Sequence, residues 1–170
     1  NKPPGSLQVS LRPIFIKTPS GAGCVTFKFA IFKIMSQIAL ASDHAGYSLK
    51  EALKASLQAQ GHTCLDYGAH SLTSVDYPDY AAQVAYCLTE GKAQWGILCC
   101  RTGMGMCMSA NKFPAIRAAL VRNSEDARLC RAHNNANVLC LGSFHEPPEK
   151  ALLFAEVFLN TPFEGGRHAT

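Results

Sequence analysis

The sequence has no apolar run long enough to cross a bilayer, and the short one at residues 29–34 falls far below the requirement. No secretory signal pattern is present. It also lacks a Gly-x-x-x-x-Gly-Lys-Ser/Thr loop, so a phosphate cradle of that kind is excluded. A dinucleotide fingerprint would have to follow the first strand, where the chain instead reads Asp43-His44-Ala45-Gly46. Asp66 near the end of the second strand then has no glycine turn to work with, and a nucleotide-binding domain is disfavoured. No two of the eight cysteines have zinc-ligand spacing, and neither a metal nor a cofactor is expected.

Acid is missing from residues 1–34, which carry Lys2, Arg12, Lys17, Lys28 and Lys33. The formal charge of +4 is therefore uneven: the remaining eleven basic residues face all twelve acids, a net of about −1. A near-neutral body gives no electrostatic support to a nucleic-acid partner, and no membrane partner is expected. Residues 1–34 also hold four of the nine prolines and show no period. They are poor in arginine and lack an amphipathic helix, so they read as an upstream extension rather than a transit peptide, with no function assigned. The domain is expected to span residues 35–170, about the size of one compact core. Such a chain has no need of disulfide staples, and Cys64, Cys99, Cys107 and Cys140 lie in apolar runs. Free thiols in a reducing compartment, the cytoplasm, are the expectation.

From Ile38 onward the pattern is regular. Short apolar runs at 38–42, 63–67, 95–100, 117–121 and 137–141 read as strands. Between them lie helical stretches at 49–60, 78–90, 105–112 and 124–132, and a last one at 149–159. Leu49, Leu53 and Leu57 repeat every four residues, and Gly61 and Gly91 stop their helices. Pro78 and the pair Pro147-Pro148 mark helix starts, and Asn123 or Ser124 caps another. Alternation with short connections predicts an α/β fold: a three-layer α/β/α sandwich around a five-stranded parallel sheet, Rossmann-like. Ligands in such sheets bind beyond the carboxyl ends of the strands. That rule gathers Asp43-His44, the 68–77 loop, Cys100 with its glycine turn, and Asn123. His133 lies just before strand five and Phe144-His145 just after it, and all are expected at one edge.

The stretch Trp95–Phe113 is the centre of interest. An apolar strand ends at Cys100, breaks at Thr102-Gly103 and continues through Met104-Gly105 into a helix. A glycine turn opening a helix gathers unpaired backbone N–H groups and attracts anions. Cys100 reads either as a small buried core residue or as a thiol activated by the helix start and Arg101. Cys99 should point the opposite way, into the core. His44 and His133 read either as ordinary surface histidines or as site residues in polar loops. His62, His70 and His145 read as solvated.

An ordered set of motifs is more specific than any of these alone. S-D-H-A-G at 42–46, V-D-Y-P-D-Y-A at 75–81 and G-I-L-C-C-R-T-G-M-G at 96–105 come first. S-A-N-K-F at 109–113, I-R-A-A-L at 116–120, R-A-H-N-N-A-N-V-L at 131–139 and E-G-G-R-H at 164–168 follow. Together they resemble the B-type ribose-5-phosphate isomerase family, which also takes in galactose-6-phosphate and allose-6-phosphate isomerases. The resemblance covers roughly Met35 to His168. It implies a metal-free aldose–ketose isomerisation of a phosphorylated sugar, by a homodimer or tetramer with active sites shared between subunits. Carried over to this sequence, Cys100 would move a proton between C1 and C2 of the sugar. His133 would open the furanose ring. Thr102 and the N–H groups of Gly103, Met104 and Gly105 would steady the enediolate. Asp43 and Asn134 would bind sugar oxygens, His44 and Arg167 the phosphate, and Tyr77 would line the site.

Three departures mark this sequence. Arg101 stands where the family commonly has glycine, so it enters the substrate-binding set as a replacement phosphate contact or a reshaped wall. Phe144 stands where an arginine is usual. The family's second phosphate arginine, in a final helix, has no counterpart within the 170 residues. Ribose 5-phosphate to ribulose 5-phosphate is the default reaction. The alternatives are isomerisation of a six-carbon sugar phosphate, allose or galactose 6-phosphate, and a non-catalytic sugar-phosphate-binding relative.

Overall fold

The computed structural model describes residues 35–169, so the expectation for residues 1–34 lies outside the described residues. Five strands alternate with five helices. In chain order they are β1 (Gln37–Ser42), α1 (Tyr47–Ala59), β2 (Thr63–Asp66), α2 (Tyr77–Thr89) and β3 (Trp95–Cys100). Then come α3 (Met104–Ala110), β4 (Ala118–Leu120), α4 (Ser124–Ala132), β5 (Val138–Gly142) and α5 (Pro148–Asn160). A short 3-10 turn follows at Gly166–His168.

All strands are parallel, in the order β2-β1-β3-β5-β4. Pleating sends alternate residues to opposite faces. Ile38, Leu40, Ile97, Cys99, Leu139 and Leu141 pack under α1, α4 and α5. Ala39, Ala41, Leu98, Cys100, Val138 and Cys140 pack under α2 and α3. The three layers and the opposed Cys99 and Cys100 are as the sequence predicts.

Element ends shift for local reasons. Helix α1 starts two residues before Leu49, and Gly61 (φ 92°) ends it with His62 N–H donating to Leu57 O at 3.0 Å and Gly61 N–H to Gln58 O at 2.9 Å. Gly91 (φ 71°) closes α2 in the same way, with Lys92 N–H on Cys87 O at 3.0 Å. Asn123 is the cap of α4, its side-chain oxygen accepting from Asp126 N–H at 2.8 Å. Pro148 is the first residue of α5, not a residue before it. Strand β4 is only three residues long, since Arg117 spends its N–H on the Asn137 side chain at 2.8 Å.

Three polar groups depart from expectation by being buried. His62, read as solvated, is 8% exposed, and its Nδ1 accepts from Ser36 N–H at 3.3 Å. Lys50 is fully buried on α1 and reaches Asp66 Oδ1 at 2.6 Å and Glu51 Oε1 at 2.9 Å. Arg131 lies 4.3 Å over the Trp95 ring and donates to Ala136 O at 2.6 Å. Each carries its charge or ring nitrogen to a partner, as a buried polar group must. No described helix is long and apolar enough to cross a membrane. All seven described cysteines are free thiols, and Cys24 lies outside the described residues.

Candidate active site

The strand order reverses between β1 and β3, because β1 leads to β2 on one side and β3 leads away on the other. A crevice opens beyond the carboxyl ends at such a point. Residues Asp43 and Cys100 stand on its two sides, one position past the paired Ser42 and Cys99.

Glycines bring the loops this close. A side chain at Gly46 would meet the backbone nitrogen of Cys100 at 2.8 Å, so only glycine lets the 43–46 turn lie against the end of β3. Asp43 is 7% exposed, and its Oδ1 accepts from Gly46 N–H at 2.7 Å. His44 Nδ1 accepts from Val75 N–H at 3.3 Å, which leaves its Nε2 as the donor. The 71–75 loop thus orients His44. Cys100 is 4% exposed, and its Sγ accepts from Gly103 N–H at 3.1 Å. Gly103 takes a left-handed conformation (φ 78°), which folds the turn back onto the sulfur. Thr102 Oγ1 receives Met104 N–H at 3.4 Å. The ring of Tyr77, at the start of α2, covers Gly105, where a Cβ would sit 2.9 Å from its Cζ. Ser143, just after β5, ties the rim together: its N–H donates to Cys100 O at 2.9 Å and its hydroxyl to Ala45 O at 2.8 Å.

So Asp43, His44, Tyr77, Cys100, Arg101, Thr102, Gly103, Met104 and Gly105 share one edge of the sheet. The other three candidates do not, and this corrects the single-edge expectation. His133 ends α4, and β5 begins only at Val138, which pairs with Gly96 at the far end of β3 from Cys100. Four residues of strand, about 13 Å, separate the two ends. Asn134 lies beside it, its carbonyl taking the Arg117 Nε–H at 2.5 Å. Arg167 is there too, because α5 returns antiparallel to the strands. Glu164 N–H donates to Ala132 O at 3.0 Å, and the His168 ring stacks on His133 at 4.2 Å and 10°. Parallel strands put a residue that precedes a strand opposite one that follows its neighbour; proximity in the list of motifs concealed this.

The sequence reading missed two members of the second group. Glu164 Oε2 stands 3.6 Å from His133 Nε2 and 3.8 Å from His168 Nε2. The E-G-G-R-H motif contained both residues, but nothing local says that they fold onto His133. Ligand atoms of this trio lie within 4.8 Å of one another, the one such group among the described residues. A hollow of about 320 Å³ also lies at this end, against Asn111, Ile116, Arg117 and Asn134 and not against Cys100.

Burial pushes the Cys99 thiol upward, as does the neighbouring Cys100, in keeping with its core position. Burial would also raise Asp66, but hydrogen bonds from Lys50, Lys54 and the Gly68 N–H outweigh it and hold the carboxyl down at about 2. Its Oδ1 takes the Gly68 N–H at 3.0 Å, and Ala69 N–H returns to Ser42 O at 2.7 Å. This ion pair therefore anchors the loop beside Asp43.

The sequence and the fold of this chain have known counterparts. The chain belongs to the ribose/galactose isomerase family, whose sequence pattern it matches over residues 38–170. Among its relatives is the ribose-5-phosphate isomerase B of Escherichia coli, 41% identical over 134 residues, 79% of this chain and 90% of that one. A probable ribose-5-phosphate isomerase B of Mycoplasma pneumoniae is 44% identical over 133 residues, 78% of this chain and 88% of that one. Among solved structures, a Thermotoga maritima ribose 5-phosphate isomerase of this type is 47% identical with a TM-score of 0.78, covering 79% of this chain and 92% of that one. A Mycoplasma genitalium ribose-5-phosphate isomerase B, solved with bound ribulose-5-phosphate, is 40% identical with a TM-score of 0.74, covering 78% and 89%.

Proposed function

We propose that the chain interconverts ribose 5-phosphate and ribulose 5-phosphate, in a site completed by a second copy of itself. The observation that carries this is the separation of Cys100 from His133 within one chain, set against family membership. Two copies packed antiparallel about a two-fold axis bring the carboxyl-end group of each against the amino-end group of the other.

In this reading His133 takes the proton of the anomeric hydroxyl and returns one to the ring oxygen, opening the furanose. Glu164 beside its Nε2 orients the ring. Cys100, as thiolate, removes the C2 proton of the open aldose and delivers it to C1. The electron pair left by the C2 proton spreads onto the C1 carbonyl oxygen, forming the enediolate; the C2 hydroxyl proton passes to the C1 oxygen and C1 takes the proton back from the thiol, which leaves the ketone at C2. Gly103 N–H is already spent on the sulfur and Met104 N–H makes only a long bond, 3.4 Å, to Thr102 Oγ1, so the developing oxyanion falls to the N–H groups of Gly105 and Met104 and the Thr102 hydroxyl. Asp43 and Asn134 of the other copy hold sugar hydroxyls, and Tyr77 walls the crevice. His44 and Arg167 of the other copy grip the phosphate, whose binding energy positions the reacting carbons. No step asks for a metal or a cofactor.

Mixing two inactive variants tests the arrangement. Cys100→Ala and His133→Ala should each lose at least a thousandfold in turnover of ribose 5-phosphate. Equal parts, exchanged by mild dissociation and reassembly, should recover about a quarter of wild-type activity, because half the dimers are hybrids with one intact site each. Undiminished turnover in Cys100→Ala would remove the thiol from the chemistry. No recovery on mixing, with exchange verified by mass, would remove the shared site.

A further inference from the structure

The two departures at the thiol edge, Arg101 and Phe144, touch each other. The Arg101 guanidinium lies 5.1 Å over the Phe144 ring. They come from different loops, one after β3 and one after β5, and the loops are zipped by backbone bonds. Phe144 N–H donates to Arg101 O at 3.0 Å and Ser143 N–H to Cys100 O at 2.9 Å.

Neither side chain serves the fold. Phe144 is 66% exposed and belongs to neither core cluster, and Arg101 is exposed as well. Among the described residues no ion pair includes Arg101. Asp43, a carboxylate on this rim, is buried and turned to Gly46 N–H, and Glu146, two residues after Phe144, makes no ion pair with Arg101. A bare arginine would lose several rotors on binding an anion. Resting over an aromatic ring removes part of that cost in advance and leaves the hydrogen-bond donors unspent. The pair is tied through Ser143 to the turn that carries His44. An uncommitted cation, ordered in advance on the ring, therefore stands one residue from the thiol.

We propose that Arg101, carried on the Phe144 ring, is the cation that the thiol-bearing chain itself presents to the phosphate of its sugar substrate. Phe144 is a positioning residue for it. The inference rests on the isomerase reading for the identity of the sugar, but not for the phosphate. A guanidinium matches a phosphate monoester with two parallel hydrogen bonds, where a neutral sugar end would leave it unpaired.

The test uses the full chain, with ribose 5-phosphate as substrate and inorganic phosphate as competitive inhibitor. Arg101→Ala should raise both KM and the phosphate inhibition constant by about tenfold, with a smaller fall in kcat. Arg101→Lys should recover part of each. Phe144→Ala should raise both by about threefold, and adding it to Arg101→Ala should change nothing more, since the ring acts only through the guanidinium. Circular dichroism confirms that the variants fold. An unchanged inhibition constant in Arg101→Ala overturns the proposal, even if KM moves, because the residue would then shape the pocket without binding phosphate. If the wild type does not isomerise ribose 5-phosphate, calorimetry with inorganic phosphate separates the two ideas. Phosphate binding lost in Arg101→Ala keeps the proposal while the choice of sugar falls; binding retained in that variant ends it.

Discussion

Replacing Asp66 by Asn should destabilise the domain by about 3 kcal/mol, and more than replacing Lys50 by Met. The asymmetry follows from burial. Lys50 is fully buried, and its ammonium has Asp66 Oδ1 at 2.6 Å and Glu51 at 2.9 Å. Asp66→Asn leaves that ammonium with Glu51 alone. Stranding a buried charge costs about 3–5 kcal/mol, and the surviving contact argues for the lower end. Lys50→Met leaves Asp66 with Lys54 at 2.6 Å, the Gly68 N–H and some water, so about 1–2 kcal/mol is expected. The double variant should cost less than the sum, because it strands nothing in the core. The assay is urea unfolding at fixed protein concentration, reading the midpoint with an unchanged slope. For a domain of this size, 3 kcal/mol is also a drop of about 10 °C in Tm. The pH dependence has a definite sign. The Asp66 carboxyl is held at about 2, below its ordinary value, so its stabilisation is complete above about pH 4 and fades as pH falls toward 2. The gap between wild type and Asp66→Asn should close over that window. A gap that stays constant to pH 2, or a Lys50→Met variant less stable than Asp66→Asn, would refute the reasoning.

Gly46→Ala should lower kcat/KM at least tenfold and cost about 2 kcal/mol, because its Cβ meets the Cys100 backbone at 2.8 Å and must lift the Asp43-His44 turn off β3; wild-type kinetics in this variant would show that the turn's seat is not needed. The half-buried Cys107 thiol is drawn down to about 7, chiefly by a hydrogen bond from Cys140, whereas burial pushes the half-buried Cys64 and the buried Cys130 up to about 11. Iodoacetamide labelling followed by mass spectrometry should therefore mark Cys107 first, at a rate that rises through about pH 7 as its thiolate forms; equal labelling of the three at pH 8 would contradict it.

Much of this protein was legible in its sequence, because the information was local. Hydrophobic period and glycine stops place five strands and five helices, and alternation along 95–100 sends Cys99 and Cys100 to opposite faces of the sheet. Motif order supplies the family. Helix starts near Pro78 and Pro148 shift by a residue or so, since proline fits either of the first positions of a helix.

What the chain could not announce was anything set by strand direction and order. Placing β5 between β3 and β4, parallel to both, puts His133, Asn134 and Arg167 at the opposite end from Cys100, and so divides one list of motifs between the two ends of the sheet. Burial of Lys50 and His62 was equally hidden, since their partners lie far off in sequence. The meeting of Arg101 with Phe144, more than forty residues apart, is of the same kind. Local chemistry fixed which residues were candidates; only packing decided which of them stand together, because contact across a sheet depends on topology and not on spacing along the chain.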